Sequence, residues 1–308
     1  MPITKTSRKR LYLSDERTIF QKNSIYFEIM PPYHYKTVAY GGEPDAPDIA
    51  TITTFLHEHP KYKKGCFDLI SYQLITQILA EIEAEIETLG AGGLFVQNRV
   101  EEAIWYEEEW HLVDPTWLMH DADQISSLAK HSKYCFPAPN SILSLCTDEN
   151  DEAYYSLCKQ YQTMMREMRD RGIYGHVLIA AQVDETLCEE LIGRRSSVLT
   201  TRDAKREDIE CVLEYQQNIS LYDSSMLESL LDQYSISTVT LIDPTENDLK
   251  VATEHLNVEK IRIGGYYNDK VCREDGRGNA SETEQVRRNE RDYWDMIQKK
   301  SRGQFQTV

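Results

Sequence analysis

Apolar positions along the chain change period several times, and each change predicts an element. Between Asp48 and His59, the residues Ile49, Ile52, Phe55 and Leu56 share one helical face, and Pro60 stops the run. The same spacing returns from about Cys66 to Leu89 with Leu69, Ile70, Leu74, Ile78, Ile82 and Ile86. This predicts a second helix, closed by Gly90, with Ala91-Gly92-Gly93 as the turn. Glu81, Glu83, Glu85 and Glu87 alternate with apolar residues and are expected on its wet face. Leu94 to Val96, Ala103 to Tyr106 and Trp110 to Asp114 then read as strands, with Glu107-Glu108-Glu109 as a solvated hairpin turn.

Beyond a loop-rich bridge with Pro137 and Pro139, a helix is predicted from Asp151 to Arg171. From Gly175 the texture repeats. Val177-Leu178-Ile179, Val198-Leu199-Thr200, Ile219-Ser220-Leu221, Val239-Thr240-Leu241 and Ile261-Arg262-Ile263 recur about every 21 residues. A polar turn with Asp184, Asp203, Asp223 or Asp243 follows each of the first four, then a helical segment. Asp243-Pro244-Thr245 reads as one of these helix starts. A conventional βαβ unit takes about 30 residues or more, so the period reads as too short for a barrel or a doubly wound sheet and points to a strand-plus-helix solenoid. It resembles degenerate leucine-rich repeats, with the preceding helix as its cap. A small Rossmann-like half-domain is the competing arrangement.

The chain has 308 residues, 41% hydrophobic and 28% charged, with a formal net charge of −17. That is enough apolar material for one large or two ordinary domains, and the negative field disfavours nucleic acid as a partner. The basic N-terminus lacks the apolar run of a secretory signal, and no stretch approaches a membrane span, so a cytoplasmic protein without membrane contact is expected. Seven cysteines without a CxxC pair read as free thiols in a reducing compartment. His57-Glu58-His59 does not share a helical face and reads as a surface helix end, so no metal or cofactor is expected.

Gly65-Cys66-Phe67-Asp68-Leu69 places a cysteine at a predicted helix start, where dipole and free N–H groups favour a thiolate. Downstream, Trp110-His111-Leu112-Val113-Asp114-Pro115-Thr116-Trp117 ends a strand on a carboxylate between two tryptophans. Together these resemble the transglutaminase-like superfamily, whose strand reads W-x-x-V-D-P-T-W after a G-x-C helix. The resemblance implies a papain-like fold in which Cys66 is the nucleophile and Asp114 orients the base. The position the family gives to its histidine holds Arg99, which cannot shuttle a proton. His34 or His120 would have to substitute; His111 lies an odd number of residues from Asp114 on one strand.

The expected fold class is therefore α+β, a transglutaminase-like (papain-like) domain followed by a short βα leucine-rich-repeat-like solenoid. The expected divisions are an N-terminal arm at 1–45, the transglutaminase-like domain at 46–135, a linker and capping helix at 136–174, the solenoid at 175–268 and a polar tail at 269–308. Two functions follow. One is thiol-dependent acyl transfer on a protein substrate (proteolysis, deamidation or crosslinking) through Cys66, with the solenoid recruiting that substrate. The other is a catalytically inactive transglutaminase-like fold serving as a protein-interaction module.

Overall fold

A computed structural model describes residues 34–64, 67–143, 151–268 and 290–305. The apolar strand-like segment from Ser24 to Met30 lies outside them, as does Cys66. The described residues all belong to one compact unit.

The chain enters through β1 (Lys36–Glu43), followed by α1 (Ile49–Glu58) and α2 (Leu69–Glu83). Strand β2 (Gly90–Gly92) leads to α3 (Gln97–Ala103), the antiparallel hairpin β3 (Ile104–Tyr106) and β4 (Trp110–Leu112), and α4 (Thr116–Leu128). Strand and helix then alternate: β5 (Lys133–Pro137), α5 (Asp151–Asp170), β6 (Gly175–Ala180), α6 (Glu185–Leu191), β7 (Ser196–Thr200) and α7 (Arg206–Tyr215). The alternation continues with β8 (Asn218–Leu221), α8 (Leu227–Leu231), β9 (Thr238–Ile242), α9 (Glu246–His255), β10 (Ile261–Asn268) and α10 (Glu290–Ser301).

Apart from the hairpin, every described strand pairs in parallel, in two sheets ordered β1-β10-β9-β8 and β2-β5-β6-β7. The sheets meet at both edges. At one edge, Ala39 N donates to Thr88 O at 2.8 Å and Thr88 N to Thr37 O at 3.1 Å, bridging β1 to the entrance of β2. At the other, β7 and β8 are neighbours without a backbone ladder. There the Gln216 amide donates to Val198 O (3.4 Å) and accepts from Val198 N (3.3 Å), replacing the missing ladder bonds. Val38 and Tyr40 of one sheet pack in a single core with Cys135, Val177, Ile179 and Leu199 of the other. Strands in chain order, closed into a ring with helices outside, make a (βα)8 barrel built as two four-stranded halves.

The mixed helix and strand content agrees with expectation, and all five strands of the repeat are present. Their setting is different. Strand β5 binds β6, and β1 binds β10, so the division between a first domain and a solenoid crosses continuous sheet. The strand face assigned to recruiting a partner is the inner wall of the ring, where Val177, Ile179 and Leu199 are buried. A period of about 21 residues suffices because the strands are short: five residues at about 3.3 Å rise match a ten-residue helix at about 1.5 Å. β7 and α7 have those lengths.

The glycine run is also corrected. Helix α2 ends at Glu83, and Glu85 takes the left-handed conformation (φ 59°) expected of a glycine after a helix. Gly90–Gly92 is instead a buried strand whose amides bind side chains of α2: Gly90 N to Glu81 Oε2 and Gly92 N to Gln77 Oε1, both 2.9 Å. Glu81, expected in water, is fully buried, and that burial raises its carboxyl well above the usual range. Leu94–Val96, expected as a strand, is a 3-10 turn that inserts Val96 into the core. The hairpin at 104–112 and the helix from Asp151 form as predicted.

Candidate functional site

The residues expected to act with Cys66 each have other partners among the described residues. Asp68 caps α2 by accepting from Ser71 N at 2.9 Å. Arg99 is buried, stacks on Trp117 at 4.3 Å, and donates to Asp68 Oδ1 (2.6 Å) and Asp121 Oδ2 (3.2 Å). Burial pushes the Asp121 carboxyl up to about 7, against the pull of Arg99. Asp114 is exposed and accepts from Thr116 N at 3.1 Å, the hydrogen bond that starts α4; Thr116 holds its carboxyl below the usual range. No hydrogen bond or ion pair joins Arg99 to Asp114. His34 is exposed, 3.7 Å from Glu87, and His120 pairs with Gln124 and meets the edge of Trp117. The arginine in the histidine slot therefore belongs to a buried ion-pair network between α2, α3 and α4.

A different set of groups converges where the barrel strands end. The register of β1 against β10 runs Lys36↔Arg262 to Ala39↔Gly265, then resumes at Gly42↔Tyr267 and Glu43↔Asn268. One extra residue is accommodated on β1, with Gly41 at φ +78°. Because strand side chains alternate, this insertion reverses the parity. Tyr40 faces the ring core before it, and Glu43 faces inward after it. A side chain could not replace Gly41: a Cβ there would lie 2.1 Å from Gly92 O.

Glu43 meets Tyr266, whose hydroxyl donates to Oε1 at 2.9 Å. Burial, then the Glu43 charge, raises the Tyr266 phenol well above its ordinary value, so it remains a donor. Tyr222, just past β8, packs on the same interior core; burial and then the Asp243 charge push its phenol up. Arg202, two residues past β7, lies over the Tyr222 ring at 5.1 Å. No hydrogen bond or ion pair to Arg202 occurs among the described residues, so its guanidinium donors are open. Beneath them, Ser220 donates to the Tyr40 hydroxyl at 2.7 Å across the ring.

The rim also stores strain. Asp243, directly after β9, has φ 50° although it precedes proline. A non-glycine residue there costs of order 1–3 kcal/mol and persists only when held by its surroundings. Tyr293 of α10 donates to its Oδ1 at 2.5 Å, and its own N–H donates to Gly264 O at 3.0 Å.

Chemically, the mouth offers a carboxylate with one oxygen fixed by a phenol, a second phenol, and an aromatic-backed guanidinium. A cleft of about 630 Å³ elsewhere is lined by Glu107, Glu108, Glu109, His111 and Glu152, all of them exposed. Among the described residues, no group of three or more His, Cys, Asp or Glu side chains could hold a metal ion, and no helix is long and apolar enough to cross a membrane. Gly41-Gly42-Glu43 lies in the stretch expected as an N-terminal arm, where it reads as a turn before Pro44. The available signal was two glycines directly before a lone acid, which marks a bulge as readily as a turn. No family model matches this chain, and no curated protein matches it.

Proposed function

We propose that the chain is a (βα)8 enzyme acting on a small anionic molecule at the mouth formed by the C-terminal ends of its strands. Barrels of this kind place their reacting groups there because every strand-to-helix connection contributes to that one face. The observation that carries the reading is the Glu43–Tyr266 pair, brought inward by a bulge whose glycines admit no other residue.

In this reading Glu43 moves the proton. Tyr266 donates to Oε1 and leaves Oε2 for the substrate, a geometry suited to general base or acid work. Arg202 anchors a carboxylate or phosphate, its planar fork pre-oriented by the Tyr222 ring. A thermal-shift screen of small phosphorylated and carboxylated compounds tests the binding half. Hits should stabilise the wild-type chain and lose at least tenfold in affinity with Arg202→Ala; hits indifferent to that change would place the site elsewhere.

Thiol acyl transfer from Cys66 is the less supported alternative. It requires a proton donor and an orienting carboxylate beside that thiol, and Arg99 and Asp114 are bound to other partners.

A further inference from the structure

Outside the mouth, the helical layer holds two thiols in contact. Cys188 of α6 is fully buried, Cys211 of α7 is partly exposed, and their sulfurs are 3.8 Å apart, with Cys211 donating to Cys188. The two residues come from consecutive βα units, 23 positions apart in the chain. The other described cysteines, Cys135 and Cys158, are both fully buried.

We propose that Cys188 and Cys211 are a redox pair that closes to a disulfide under a two-electron oxidant such as a peroxide. The two sulfurs, already in contact at 3.8 Å, need to approach by only about 1.8 Å to reach the bonded distance. Cys211, reachable from solvent, attacks one peroxide oxygen through its sulfur, forming an S–O bond and breaking O–O. The product is a sulfenic acid, and the departing hydroxide takes up the thiol proton as water. The Cys188 sulfur then attacks the sulfenic sulfur; S–S forms, S–O breaks, and the hydroxyl leaves with the Cys188 proton as a second water. Two thiols are oxidised and one peroxide is reduced.

Burial raises both thiols above their ordinary range, so they rest protonated near neutral pH and the first step should accelerate as pH rises. Closure ties α6 to α7, and the connection into α7 carries Arg202. The device thus covalently braces the segment beside the mouth, and it stands whether or not the mouth is catalytic.

The test uses the full chain, treated with hydrogen peroxide, alkylated, digested without reductant and read by mass spectrometry. A linked Cys188–Cys211 peptide pair is expected, lighter by two hydrogens and restored by reductant. Cys188→Ser should accumulate sulfenic acid on Cys211, and Cys211→Ser should leave Cys188 reduced. The proposal is overturned if both thiols stay reduced while the chain's other cysteines oxidise. It is equally overturned if Cys211 links to any cysteine other than Cys188.

Discussion

Tyr266 reaches Glu43 at 2.9 Å because the bulge at Gly41 absorbs one step of the side-chain alternation of β1. Were the same residues laid out in unbroken alternation, with no bulge at Gly41, Gly42 would face the ring and Glu43 the helices. The bulge therefore determines which residue faces the interior of the ring.

Gly41→Ala should disturb both stability and the mouth. The added carbon meets Gly92 O at 2.1 Å, and the left-handed conformation disfavours any side chain. A loss of about 2 kcal/mol or more is expected in denaturant unfolding. A variant as stable as the wild type would show that the close approach of β1 and β2 is wrong.

At the β7–β8 seam between the half-barrels, the Gln216 side-chain amide bonds the backbone of Val198. Gln216→Ala leaves the Val198 N–H and C=O without the partners they now have. The expected cost is about 1–3 kcal/mol. Hydrogen exchange at Val198 should quicken more than at Val177, which lies within the continuous β5-β6-β7 sheet.

Glu81 makes stability depend on pH with a definite sign. Its folded-state carboxyl is raised, so the folded chain holds a proton that the unfolded chain releases above the ordinary carboxylate value of 4.5. Stability from this group is present below that value and falls as pH rises toward the raised folded value. Glu81→Gln keeps an acceptor for Gly90 N without that proton. Its melting temperature should fall less between pH 5 and pH 9 than the wild type's, each kcal/mol of difference being worth about 2–4 °C in a chain of this size. Parallel melting curves across that range would contradict a buried, protonated Glu81.

Removing Arg99 should be costly for structural reasons. Arg99→Ala strands the buried Asp121 and deprives Asp68 of its counter-charge. About 3–5 kcal/mol should be lost in chemical denaturation, the range for a broken buried ion pair. The rate of Cys66 alkylation, followed in the same variant, checks the thiol reading. A large change in the native protein would bring Arg99 back into that chemistry; an unchanged rate would leave it a structural residue.

Much of the second half was legible because its strands are apolar on both faces and recur at even spacing. Val177, Val198, Ile219, Val239 and Ile261 all lie in strands of the ring. What they pair with was not legible. Closure depends on β1, β2 and β5, whose signals are weak: a glycine-rich end, a three-residue Gly-Ala-Gly strand, and a five-residue strand that ends on proline. Glu81 misled because its neighbours alternate in sequence while its side chain serves a backbone amide in space. The Asp114 motif forms the hairpin strand, shortened to Trp110–Leu112, but its carboxylate is exposed and bound to Thr116, and Arg99 sits on a helix paired to Asp121, which no local pattern announces.

The most direct test of the mouth as a reacting site is turnover by Glu43→Gln on the ligand selected by the binding screen. Binding within threefold of wild type, with turnover reduced by about 10²–10⁴-fold, is the predicted result. Turnover equal to wild type would contradict the account, because the one carboxylate the bulge turns inward would then take no part in the chemistry.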